Sequence, residues 1–426
     1  MIEKINYTGY WFLPNKENDR VAGTLAYLPN DKIQLDLLGS FEEYTHPFEM
    51  FTDNNKSVDI IHGITSCGKK ISLINCFSFA SLNTNALSPV VKYKCQYLMI
   101  GYLLKSRKNK TFDSIVIHLP ALNKWYPPEL IRKMLYFNPI GTKILETNIS
   151  ISNKNKSEET VFLDQEYKIT IEDSAGYSGG NKLLIEQKTY CKITNYSSKI
   201  DFISLIGKAY QFKSFLNLAT LSTNTFTKIS LIDDDYFQDI GDGDKYINHI
   251  ELLYVDRDIN ENVETHNSLF TYTRIKEFYS QTIRTWFNLE KEYAPIRNHL
   301  LDSITRKQTW KSTDFLIIIQ ALEGYHRRFV NIRANNLRER IENLCNKYSD
   351  ITRLDITNND ITHVIKSRNY YSHFYSNKED VLDGIDLYNL SKKMRLLLIC
   401  CVLSLLGLPN SKIDYLIKEC YSNILK

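Results

Sequence analysis

The 426-residue chain lacks the features that would place it in a membrane, at a structural zinc or in a disulfide framework. Its longest apolar run, LLLICCVLSLLGL (396–408), falls short of the roughly 18–20 residues that a spanning helix needs, and reads as a buried helix stopped by Gly407 and Pro409. The opening MIEKINYTGYWF has no basic n-region and no apolar h-region, so no signal peptide is expected. Cys67, Cys76, Cys95, Cys191, Cys345, Cys400, Cys401 and Cys420 are scattered, with no CxxC pair and no zinc-type spacing to histidine. That argues for reduced thiols, a cytoplasmic location and no bound metal. A net charge of +4 is small for this length, so any attraction to nucleic acid must come from local patches. SAGYSGGNK (174–182) and ITSCGKK lack the P-loop lysine-serine pair and the dinucleotide fingerprint, and read as turns. No cofactor is expected.

What is present is a soluble-type composition, 43% hydrophobic and 24% charged, long enough for two or three domains. To about residue 265 the texture is β-rich. RVAGTLAYLP and DKIQLDLLGSF alternate apolar and polar residues about the turn PND, which predicts a hairpin. SIVIHLPAL, EYKITIED, KLLIEQKTYCKITNY and TKISLIDDDYF continue as strands, and 199–221 interrupts them with helical spacing. DDDYFQDIGDGDKY (233–246) lacks the twelfth-position glutamate of a calcium loop and reads as a hairpin. His46, His62, His118 and His249 read as structural. After about residue 270 helices take over: one ending near Pro295, a long one over 312–348 capped by Ser312, Thr313 or Asp314, and three more to the end. The expected class is α+β. A β-rich, sandwich-like region with one or more packed helices (1–268, with a break near 151–182) precedes an all-α bundle (269–426).

The helical part contains SRNYYSHFYS (367–376), where Arg368 and His373 are separated by four residues. Five residues of straight α-helix turn about 500°, leaving the two side chains about 140° apart. To converge, the motif must overlap a helix start or two copies of the chain must meet. Asn369 shares a face with His373, where it is placed either to orient the imidazole or to touch substrate. Arg327, Arg328, Arg333, Arg338 and Arg340 line 323–340 as either a phosphate-tracking ridge or a solvated, ion-paired face.

This R-x4-H with a polar residue after the arginine resembles the signature of the HEPN superfamily, helical bundles that include many prokaryotic ribonuclease toxins. SRNYYSHF, preceded by ALEGYHRRF, is similar to the ApeA-like HEPN branch. GYWFLPNKENDRVAGTLAYLPNDKIQLDLLGSF (9–41) is similar to the N-terminal domain that accompanies it. The resemblance implies a metal-independent endoribonuclease of antiphage abortive-infection defence, cutting tRNA in the anticodon loop when a phage component triggers it. It implies a homodimer in which two motifs face one cleft. Metal-free RNA cleavage needs a base for the 2′-OH proton, an acid for the 5′-oxygen and a cation for the phosphorane. His373 suits the first two tasks and Arg368 the third. Asn369, Tyr371 and Glu323 are supporting candidates, and Arg327, Arg328 and Lys366 substrate-binding ones. The β-rich region is expected to sense or restrain. The alternatives are a non-catalytic HEPN nucleotide- or protein-binding module, and a β-sandwich ligand-binding protein dimerised by its helices. The second alternative expects an exposed platform from Trp11 or Trp125 and a buried motif.

Overall fold

The computed structural model describes residues 3–42, 57–81, 90–104, 111–127, 131–137, 144–151, 158–178, 184–241, 243–255, 268–305, 311–330, 333 and 336–424. His46 and the tip of the 174–182 turn lie outside them. Six strands come first: β1 (Ile5–Phe12), β2 (Val21–Leu28), β3 (Lys32–Leu37), β4 (Ser57–Thr65), β5 (Lys70–Ser81) and β6 (Val90–Ile100). They close a barrel in the order β1-β2-β3-β6-β5-β4, with β4 returning to β1. The β2–β3 hairpin turns at 29–31, as its alternation predicts.

Glycine spacing makes the barrel closable. Trp11 is fully buried inside it. A Cβ at Gly63 would lie 2.3 Å from the Trp11 ring, and one at Gly23 would lie 3.1 Å from it. Gly9 faces Gly23 across the β1–β2 ladder, and its own Cβ would meet the Ile64 carbonyl at 2.4 Å. The GYW and V-x-G-x-L segments thus act together: glycines supply the room that one indole fills.

The chain continues through β7 (Thr111–Phe112), β8 (Ser114–His118), α1 (Pro120–Trp125), β9 (Ile131–Phe137), β10 (Ile144–Ile151), β11 (Glu158–Phe162), β12 (Tyr167–Ser178), β13 (Leu184–Asn195), β14 (Ile200–Asp201), α2 (Phe202–Thr220), β15 (Lys228–Gly241) and β16 (Asp244–Tyr254). An antiparallel run β11-β12-β13-β8-β15-β16 joins the barrel at β6. Lys92–Cys95 of β6 pair with β3 and Tyr97–Ile100 pair with β16, so one strand serves both sheets. The 233–246 segment is the β15–β16 hairpin. Residues 158–178, within the span read as a joint, run through β11 and β12 of this second sheet.

Helix α2 is capped by Asp201, whose carboxylate accepts from the Ile203 and Ser204 amides. It is apolar nearly all round because it is covered on two sides, by β8 and by the helices that follow. Those are α3 (Tyr272–Ile275), α4 (Tyr279–Asn288), α5 (Glu290–Thr305), α6 (Ser312–Phe329), α7 (Leu337–Lys347), α8 (Asn358–His373), α9 (Gly384–Leu405) and α10 (Asn410–Ile424). The class is α+β. One apolar core fills the barrel; a second runs from the second sheet through α1 and α2 into the bundle.

Three helix boundaries differ from expectation. The helix expected over 312–348 is two, because Asn336 caps a new start by accepting from the Glu339 amide at 2.9 Å. Lys311, not Ser312, Thr313 or Asp314, is the N-cap of α6, and Asp314 instead sits in its first turn. Pro295 lies inside α5; the break comes earlier, at Leu289. The 396–408 run is the buried half of α9, ended by Gly407 at φ 93°. No described helix is long and apolar enough to cross a membrane.

Candidate functional site

Three helices of the bundle converge on Arg368. Helix α8 starts at a capping box: Thr357 accepts from the Asp360 amide, and the Asp360 carboxylate accepts from the Thr357 amide. Burial alone would raise the Asp360 pKa, but the Thr357 bonds and the Lys393 ammonium at 2.9 Å bring it below its ordinary value. Sixteen residues later α8 ends at His373, and Phe374 turns the chain in the left-handed conformation, φ 57° and ψ 37°.

The chain then folds back along α8 and is fastened to it. Tyr371 donates its hydroxyl to the Leu382 carbonyl at 3.0 Å, and the Leu382 amide donates to Ser367 Oγ at 3.0 Å. His363 Nδ1 bonds the Asp380 carbonyl at 2.9 Å. The end of α8 is therefore held on one side while His373 stays exposed on the other.

Arg368 Nη1 lies 2.7 Å from His373 Nε2. A guanidinium has no acceptor, so the arginine donates and the proton of a neutral imidazole sits on Nδ1. The pair converges within one chain, contrary to the expectation that a helix start or a second copy would be required. The motif overlaps a helix end, and the long arginine side chain reaches along the last turn to the imidazole. Arg368 Nη1 also donates to Asn369 Oδ1 at 3.3 Å.

The Glu323 carboxylate of α6 forms ion pairs with two helices at once, 3.6 Å from Arg368 Nη2 and 3.8 Å from Arg340 Nη1 of α7. At these distances and partial exposures each contact contributes about 1 kcal/mol or less, so its effect is to aim a guanidinium rather than to hold the bundle. Behind Glu323, fully buried His326 meets Asn343 of α7 at 3.3 Å. Neither an Asp360 nor an Asp380 side chain pairs with Arg368: the first holds Lys393 and the second offers its carbonyl to His363.

The remaining candidates separate. Arg327 is exposed one helical turn beyond Glu323, on its face. Arg328 donates to the Glu292 carbonyl of α5, away from the pair. Lys366 precedes Arg368 by two residues, about 200° around α8. Arg338 bonds Glu342 and Thr362 and Arg340 pairs with Glu323, so these two of the five arginines are engaged in contacts between or along helices. Tyr371 is a fastening for the loop.

Two more aromatic side chains lie beside the pair: Tyr375, which the sequence offers with Tyr370 and Tyr371 as a base-stacking or core residue, and Phe374, which it does not single out. Phe374 is 88% exposed, and Tyr375, 58% exposed, lies 5.6 Å from the His373 ring. An aromatic residue in a left-handed C-cap, where glycine is favoured, and open to water is unfavourable on both counts. Trp11 and Trp125 are both buried, so neither forms the platform expected of a carbohydrate- or peptide-binding sandwich.

A barrel-and-sheet region bolted to a helical bundle, with an arginine–histidine pair on an exposed helix end, is the architecture of a two-part HEPN protein. The family model for ApeA N-terminal domain 1 matches residues 6–286, and that for Apea-like HEPN matches residues 316–412. The chain belongs to the ApeA-like HEPN family, which supports a nuclease-type role in defence. Searches of curated proteins and of solved structures return no match.

Proposed function

We propose that the protein is a metal-independent endoribonuclease of antiphage abortive infection, cutting tRNA in the cytoplasm when a phage component engages it. The observation that carries this reading is the 2.7 Å contact between Arg368 and His373 at an exposed helix end, with Glu323 behind the arginine. As it stands, the guanidinium covers the lone pair of Nε2. A substrate phosphate draws Arg368 into a bidentate contact and frees Nε2 to take the 2′-OH proton. The 2′-oxygen attacks phosphorus and the P–O5′ bond breaks, leaving a 2′,3′-cyclic phosphate and a 5′-hydroxyl. The departing oxygen needs a proton donor; in a homodimer with facing motifs, His373 of the partner subunit supplies it. Phe374 and Tyr375 stack on bases flanking the cut.

The helical region, 269–426, carries this chemistry, and the β-rich region, 1–268, carries control. Control passes through the seam that α4 makes with α2 and β11, where Trp286 Nε1 donates to the Gln211 carbonyl at 2.8 Å and Arg284 Nε donates to the Phe162 carbonyl at 2.6 Å.

Purified protein incubated with tRNA tests the reading. Cleavage that persists in EDTA and leaves 5′-hydroxyl ends is expected. Loss of cleavage in EDTA with rescue by a divalent ion would overturn the mechanism.

A further inference from the structure

Helix α2 is apolar on most of its surface, yet Ser204, Gly207, Lys208, Gln211 and Ser214 fall at i, i+3, i+4, i+7 and i+10, a single polar stripe. This stripe does not face open solvent alone. It lines a cavity of about 480 Å³ whose other walls are Tyr167 and Tyr210 and, from α5, Arg297. The volume lies in the range of small-molecule sites, about 300–1,000 Å³.

Among the described residues, the wall carries two cations and no carboxylate. The Lys208 ammonium lies over aromatic rings, 4.6 Å from the Tyr167 centroid and 5.7 Å from that of Phe287. Among the described residues no acid is paired with it. Arg297 is 94% buried, since its exposure is 6%; its guanidinium stacks on Trp286 at 5.5 Å and donates, among its contacts, to Asn298 Oδ1 at 3.3 Å. Gln211 Oε1 is buried in the same wall with no hydrogen-bond partner. Hydroxyls, an amide and tyrosine rings beside two cations suit a ligand with a charged end and a polar, flat remainder.

We propose that this cavity binds a phosphorylated small molecule the size of a mononucleotide, with its phosphate on Lys208 and Arg297. The ligand bridges the β-rich region, through α2 and Tyr167, and the first long helix of the bundle, through Arg297. The proposal does not depend on the nuclease reading.

Isothermal titration on the full chain carrying His373→Ala tests it, with AMP, ATP, inorganic pyrophosphate and a single-stranded RNA oligonucleotide as probes. At least one small phosphate is expected to bind once per chain with a Kd of about 10 μM or tighter. Lys208→Gln and Arg297→Gln each weaken it about tenfold or more. Gly207→Leu abolishes it: nothing lies within 4 Å of the Cβ that would be added there, so the new side chain is accommodated and enters the cavity. Because Gly207 and Lys208 sit at the mouth, these variants fold even if Arg297→Gln does not. Absence of small-phosphate binding, equal binding by Lys208→Gln and Gly207→Leu, or Lys208 dependence confined to RNA would each overturn the proposal.

Discussion

Phe374 concentrates the residue-scale argument, because its backbone favours glycine and its exposure favours a polar side chain, yet an aromatic ring occupies it next to His373. Phe374→Gly should therefore stabilise the fold by about 1 kcal/mol while weakening RNA binding, since stacking of one base contributes about 1–3 kcal/mol. Thermal melts and filter binding measure the two effects; stability and affinity falling together would mean the ring is a packing residue. Glu323 makes a different prediction. Glu323→Gln leaves Arg368 present but unaimed, and cleavage should fall roughly 10–100-fold with KM little changed. Glu323→Asp should recover part of the rate, and equal losses in both variants would reduce Glu323 to a structural ion pair.

At the scale of elements, the capping box of α8 positions the site from a distance of four turns. Thr357→Ala should cost about 1 kcal/mol, read as a lowered melting temperature. His118 should give the second sheet an acid response. Burial first, then the Lys188 charge, lowers its pKa to about 4, while it bonds Thr227 Oγ1. Between the unfolded value near 6.5 and about 4 the unfolded chain binds the extra proton, so His118 contributes stability above that window and loses it as pH falls through it. His118→Gln should flatten the stability profile there; an unchanged slope would place the acid response elsewhere.

Much of this was legible in the sequence. The 29–31 hairpin, the α2 helix, the buried 396–408 run and the R-x4-H segment all follow from local alternation, periodicity and motif. What was not legible is non-local. Barrel closure depends on Trp11 meeting Gly23 and Gly63 from other strands, and although Glu323 is legible as a supporting candidate, its ion pair with Arg368 joins helices distant in sequence. The split of 312–348 was missed because Arg338, Glu339 and Arg340 continue a helix-favouring pattern across the Asn336 cap. The convergence of Arg368 and His373 was missed because straight-helix angles ignore the reach of arginine at a helix end.

On the scale of the molecule, the two cores decide which parts can act alone. The barrel has its own core, whereas the helices share theirs with the second sheet: Trp125 packs on Phe215, Tyr272 and Tyr279, and Phe215 on Trp286. A 269–426 fragment would expose this aromatic seam and should aggregate. Trp11→Ala, costing about 3–5 kcal/mol, should lower one calorimetric transition and leave a second in place. A single transition moving as a whole would show that β6 couples the two cores completely. Light scattering on the full chain should give twice the chain mass; a monomer that still cleaves RNA would remove the facing-motif dimer from the mechanism.

The most direct test of the central claim is the integrity of total tRNA in cells producing wild-type protein, Arg368→Ala or His373→Ala, with and without phage. Each substitution should reduce cleavage by about 10²–10⁴-fold without loss of folded protein. Fragmented tRNA and phage protection with wild type alone is the expected result. Equal behaviour of all three proteins would contradict a catalytic role for the Arg368–His373 pair.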